Sequence, residues 1–94
     1  MKKVVRSEQY RFELDQIEAR IATDNPSAAI DLWLHIDDQV AQLADPNFPR
    51  KIGRVPGTFE LVAHPNYLVI LEEYEQVVLV LSVKHTRQKW PKYL

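Results

Sequence analysis

FELVAHPNYLVILEEYEQVVLVLSVKHTRQKWP, residues 59–91, is the stretch on which the fold turns. Phe59, Leu61 and Ala63 alternate with Glu60 and Val62, the period of two that a strand with one buried face requires. His64-Pro65-Asn66 is turn chemistry, Tyr67 to Leu71 reads as a second strand, Glu72 to Gln76 as a second turn, and Val77 to Val83 as a third strand. Strands joined by turns this short run antiparallel. The third is apolar on both faces, which predicts a central place in the sheet. Along it Leu79, Leu81, Val83, His85 and Arg87 share one side, and Val78, Val80, Ser82 and Lys84 the other. At Lys84 the apolar run gives way to Lys84, His85, Arg87, Lys89 and Trp90, a charged and aromatic extremity.

Toward the N-terminus, Asp45 to Gly57 holds three prolines and both glycines of the chain, so it reads as a loop, and it carries Arg50, Lys51 and Arg54. Before it lie two helical patterns. Tyr10, Leu14, Ile17 and Ile21 step by four, three and four, with Ser7 placed to cap and Glu8 in the first turn. Ala29, Leu32, Trp33, Ile36, Val40 and Leu43 form a second stripe, preceded by Asn25 as cap and Pro26 at the first helical position, while Asp31 and Asp38 fall nearly opposite. The short connection predicts an antiparallel helical hairpin. Lys3 to Arg6 is expected to add a short strand beside the third one. The order is β-α-α-β-β-β, an α+β fold with the hairpin packed on one face of a small antiparallel sheet and the other face open.

The chain of 94 residues is expected to be one domain, residues 1–94. It has no cysteine, which removes disulfides, thiolate metal sites and thiol nucleophiles. Its net charge is −1, unlike that of a protein that coats a polyanion with positive field. The charge is also segregated: residues 7 to 45 carry nine acids against Arg11 and Arg20, and the cations gather at Lys2, Lys3 and Arg6, at Arg50, Lys51 and Arg54, and from Lys84 onward. The basic start lacks the apolar core of a signal peptide, and no run approaches the roughly 18 apolar residues of a membrane span. A cytoplasmic protein without a membrane partner is expected.

These residues carry a family resemblance. RVPGTFELVAHPNYLVILEEYEQVVLVLSVKHTRQKWP resembles the C-terminal half of ParE-type toxins of the RelE/ParE superfamily, through Pro56-Gly57, Asn66-Tyr67, His85, Arg87 and Pro91. Gln88 stands where a further arginine often follows. The first half, with Asn25, Pro26, Ala28 and Ala29 between two helices, is similar to the same family, so that the resemblance spans nearly the whole chain. It implies the toxin of a type II toxin-antitoxin, plasmid-stabilising module, neutralised by a cognate antitoxin. An operator DNA would be reached only through that antitoxin. ParE-like members act on DNA gyrase; RelE-like members cut mRNA on the ribosome.

Metal-free RNA cleavage needs a proton acceptor, a proton donor and cations for the developing phosphorane charge. The nuclease reading would use Arg54, His85 and Arg87, with Tyr93 in the place of a C-terminal tyrosine some RelE-like toxins use. The acidic net charge speaks against a ribosome ligand, and the expected activity is gyrase inhibition without chemistry, no catalytic residue being assigned. The expected target-binding set is Arg50, Lys51, Arg54, Lys84, His85, Arg87 and Trp90. Trp90 fits an interface or a lid packed back on the domain. No cofactor or metal is expected: His35 with Asp31 and Asp38 has ligand-like helical spacing but lies on a wet helix face. His64 is expected to shape its turn, and Trp33 to join the core.

Overall fold

The computed structural model describes residues 1–90. Its elements are β1 (Lys3–Arg6), α1 (Glu8–Ala22), α2 (Pro26–Ala41), a 3-10 turn (Gln42–Ala44), β2 (Lys51–Ile52), β3 (Phe59–His64), β4 (Tyr67–Glu73) and β5 (Val77–His85). Pro91, part of the family resemblance, and Tyr93, part of the nuclease reading, lie outside the described residues.

Local signals place the helices. The Ser7 hydroxyl accepts the Tyr10 N–H, and the Asn25 side chain accepts the Ala28 N–H, so both caps satisfy amides that the first turn leaves without partners. Tyr10, Leu14 and Ile17 of α1 and Ala29, Ile36 and Val40 of α2 are buried. With Leu43 they meet Leu61, Ala63, Tyr67, Val69, Leu71, Val78, Val80 and Val83 in the main core. The hairpin thus covers one face of the sheet.

The sheet has five strands in the order β1-β5-β4-β3-β2. It is mixed, which corrects the antiparallel expectation. β1 pairs parallel with β5, Lys3 opposite Val77 and Arg6 opposite Val80. The reason is the hairpin, which carries the chain across one face and returns it so that the first strand and the last run the same way. The expected loop also contains a strand, as Lys51 and Ile52 pair with Glu60 and Phe59.

Two further expectations fail for physical reasons. Ile70 stands opposite Ser82 but Leu71 opposite Val80, so Leu81 is the extra residue of a β-bulge. Beyond the bulge the alternation is reset, and Val83 joins Val78 and Val80 in the helix-side core instead of following Leu79 and Leu81. The second sheet face is not fully open either. Leu68, Val69, Ile70 and Leu71 are all buried, and the even-numbered pair is covered by Trp90, with Val55 and Leu81 packed alongside.

Both glycines sit in the β2–β3 connection. Gly57 has φ +84°, a conformation few side chains tolerate. A Cβ on Gly53 would meet the Thr58 hydroxyl at 2.3 Å, where the Gly53 N–H reaches the Thr58 carbonyl.

Candidate functional site

The cations expected at the surface divide into two groups. Arg50 is turned inward, its side chain 6% exposed. It donates to the carbonyls of Leu43, Asp45 and Phe48 and to Glu73 at 3.1 Å, and so ties the loop after α2 to the end of β4. Lys84 is 5% exposed at its side chain and pairs with Glu13 at 2.7 Å. Both belong to the framework, because a charge this deep requires a counter-charge at hand. Lys51 and Arg54 remain at the surface, 58% and 45% exposed, and share the buried carboxylate of Glu60.

Arg54 is held by Glu60 and Trp90. Its backbone N–H and its Nε both reach Glu60 Oε2, at 3.0 and 3.1 Å, and its guanidinium lies 4.0 Å from the centre of the Trp90 ring. Trp90 rests in turn on Leu68 and Ile70. Its indole Nε1 is buried without a hydrogen-bond partner among the described residues. The indole therefore packs back on the sheet as a lid, and the surface it helps to form is the outer face of the guanidinium stacked upon it. Arg87 and Lys89 are exposed on the turn that returns the chain from β5 to Trp90.

That turn is organised by His85, whose Nδ1 accepts the Arg87 N–H at 3.0 Å, while the Gln88 side-chain oxygen accepts the His85 N–H. His64 repeats the device with the Asn66 N–H, and the Thr86 N–H donates to the Asn66 carbonyl, coupling the two turns. The imidazoles of His35 and His64, the phenol of Tyr67 and the imidazole of His85 follow one another at ring separations of 6.2, 5.8 and 5.1 Å. His85 faces a cleft of about 80 Å³ shared with α1, among Glu13, Arg20, Tyr67 and Val83. Val83 and Tyr67 belong to the helix-side core, whereas Trp90 belongs to the cluster on the other face. The three groups of the nuclease reading are thus not gathered into one site, since Arg54 and His85 lie on different sides of the sheet. No hydrogen bond, ion pair or ring contact among the described residues joins Arg54 to His85 or to Arg87.

A second concavity, of about 490 Å³, runs along the outer edge of β3, between Gln39 of α2, Phe48 and Pro49 on the loop, and Leu61 and Val62. β2 pairs only with Phe59 and Glu60, so this edge continues past it without a strand partner. Val62 and Ile52 beside it are 54% and 83% exposed.

Sequence reasoning missed the acids that engage the cations. Asp37 receives Arg6 Nε at 2.8 Å and the Tyr10 hydroxyl at 2.9 Å. Glu73 holds both Lys2 and Arg50, and Glu13 holds Ser82, Lys84 and the Val83 N–H. One signal was available: a lysine ending an apolar central strand implies a carboxylate from another element.

Comparison with known proteins bears on the same residues. The family described as the ParE toxin of the type II toxin-antitoxin system parDE matches residues 4–90. A Sinorhizobium fredii protein that carries the name of a candidate toxin, Y4kP, is 35% identical over 81 residues, covering 86% of this chain and 84% of its own. A solved structure of the chromosomal ParDE toxin-antitoxin system of P. aeruginosa superposes with a TM-score of 0.80 at 18% identity, over 90% of this chain and 96% of that one, a likeness of fold. With its capped hairpin, its basic strand end and a match that runs from β1 to Trp90, the chain belongs to the ParE toxin family of type II toxin-antitoxin systems.

Proposed function

We propose that this ParE-type toxin inhibits DNA gyrase by docking, without chemistry of its own, and that a cognate antitoxin neutralises it. The observation that carries the first half is the Arg54-Trp90 stack, a guanidinium fixed by Glu60 below and an indole beside it, with Lys51 exposed nearby. A cation held in place loses little conformational freedom on binding, and arginine on an aromatic platform is a favoured anchor of protein interfaces. Arg87 is exposed on the turn leading to Trp90. Arg50 and Lys84 serve the framework, and His85 shapes the turn. The separation of Arg54 from His85 favours docking over the ribosome-dependent endoribonuclease reading, which requires convergent groups.

For the antitoxin, the open edge of β3 and its groove suit an extended segment that pairs its backbone beyond Glu60 and sets apolar side chains beside Val62.

Purified toxin assayed for gyrase supercoiling and, separately, for mRNA cleavage in a translating extract tests the first reading. Supercoiling should be inhibited with mRNA intact, and Arg54→Ala should weaken inhibition by about tenfold, in keeping with an interface hot spot, with its circular dichroism spectrum unchanged. Cleavage of mRNA without gyrase inhibition rejects the proposal.

A further inference from the structure

The cleft between α1 and the end of β5 has a polar lining of one chemical kind once its internal bonds are assigned. Its single carboxylate, Glu13, is engaged by the Ser82 hydroxyl, the Val83 N–H and the Lys84 ammonium. The His85 Nδ1 is occupied by the Arg87 N–H, which leaves the ring proton of the neutral imidazole on Nε2. The Gln88 side-chain oxygen is taken by the His85 N–H, leaving its amide NH₂ to donate. Arg20 makes no ion pair among the described residues, and the Tyr67 hydroxyl no hydrogen bond. Glu13 and Lys84 cancel, so the cleft carries the net positive charge of Arg20 and an excess of donors: a guanidinium, an imidazole N–H, a phenol and an amide.

We infer that this cleft is an oxyanion site and that it takes a phosphate group. Donors stand on both walls, Arg20 and Gln16 on α1 and Tyr67, His85 and Gln88 on the strands and turn. A tetrahedral phosphate turns oxygens to both walls at once, whereas a planar carboxylate favours a single fork. The volume of about 80 Å³ admits one such group and no base or sugar within it. Arg20 lies in the last turn of α1, where the helix dipole does not assist an anion, so the side chains carry the binding. Affinity for a lone ion is accordingly expected in the millimolar range, on the order of 1–10 mM.

The site is independent of the gyrase reading, since Arg54 and Trp90 lie on the other side of the sheet, and it is tested without gyrase. The ¹⁵N-labelled toxin is titrated with sodium phosphate at constant ionic strength, following the His85 ring and Arg20 Nε–H resonances. Saturable shifts confined to Arg20, His85, Gln88 and their neighbours are expected, with acetate at least fivefold weaker. Arg20→Gln, an exposed change that leaves the helix intact, should weaken binding about tenfold, as loss of a charge-assisted bond does, while Lys89→Gln should not alter it. A nucleoside 5′-monophosphate should bind at the same resonances and the parent nucleoside should not, whereas binding by free phosphate alone marks an inorganic ligand. Shifts that grow linearly without saturation, equal binding by Arg20→Gln, acetate as tight as phosphate, or equal binding of the parent nucleoside each overturn the inference.

Discussion

Tyr10 is buried at the start of α1 with its hydroxyl on Asp37, which also receives Arg6. Burial first, and then the neighbouring Asp37 charge, push the phenol well above its ordinary value of 10.0. In the folded protein the phenol therefore stays neutral at a pH where the unfolded chain has already lost its proton. The stabilisation is complete below about pH 10 and falls as pH rises above it, by up to about 1.4 kcal/mol per pH unit for this one group. Urea unfolding between pH 9 and 11 should show that slope, and Tyr10→Phe should flatten it while lowering stability at pH 7 by about 1 kcal/mol for the lost hydrogen bond. At this scale the sequence reading was half right. It found every cation by type and position, but ion pairing depends on which acid arrives from another element. Arg50, beside Lys51 in the chain, meets Glu73 and three carbonyls, while Lys51 stays in solvent.

Among the elements, β5 shows what local pattern reveals and what it hides. Its apolar residues on both faces announced a central strand, and it lies between β1 and β4. The caps Ser7 and Asn25 and the helix stripes were legible for the same reason, each being set within a few residues. The strand Lys3–Arg6 was expected beside β5, but the bulge at Leu81 and the parallel sense of that pairing were not, because both arise from pairing across the chain. Nor was the protection of the strand's outer edge. β1 pairs no further than Val80, and past that point α1 covers the edge: the Ser7 N–H donates to the Val80 carbonyl, its hydroxyl to the Leu81 carbonyl, and Glu13 accepts from Val83. Glu13→Gln keeps the shape but leaves the Lys84 ammonium buried without a counter-charge, an expected loss of about 3 kcal/mol. Chemical denaturation checks it. Lys84→Met in the same chain should recover most of the loss, and a cost unchanged by the second substitution would mean that Glu13 acts through the Ser82 and Val83 bonds instead.

For the molecule as a whole, the two faces and the free edge offer three different surfaces. The stacked cation lies on one face, the donor-lined cleft on the other, and the apolar groove along β3. If the groove receives the antitoxin, Val62→Glu should weaken the toxin-antitoxin complex by about tenfold or more through burial of an unpaired charge. Because Val62 is 54% exposed, the free toxin's melting temperature should barely change. Calorimetric titration of the antitoxin into both variants tests it, and equal affinities would place the antitoxin elsewhere. Arg50, Lys51, Arg54, Lys84, His85, Arg87 and Trp90 stood out in the sequence as residues, but how they divide among these surfaces did not, since each surface is assembled from elements distant in the chain.

Lys3 pairs with Val77, so the first strand to leave the ribosome waits for the last. Until β5 emerges, α1 lacks the strand on which Ser7 and Glu13 close, and the core beneath the hairpin lacks Val78, Val80 and Val83. Closure of the sheet is therefore a late, cooperative event in synthesis, completed when β5 meets β1.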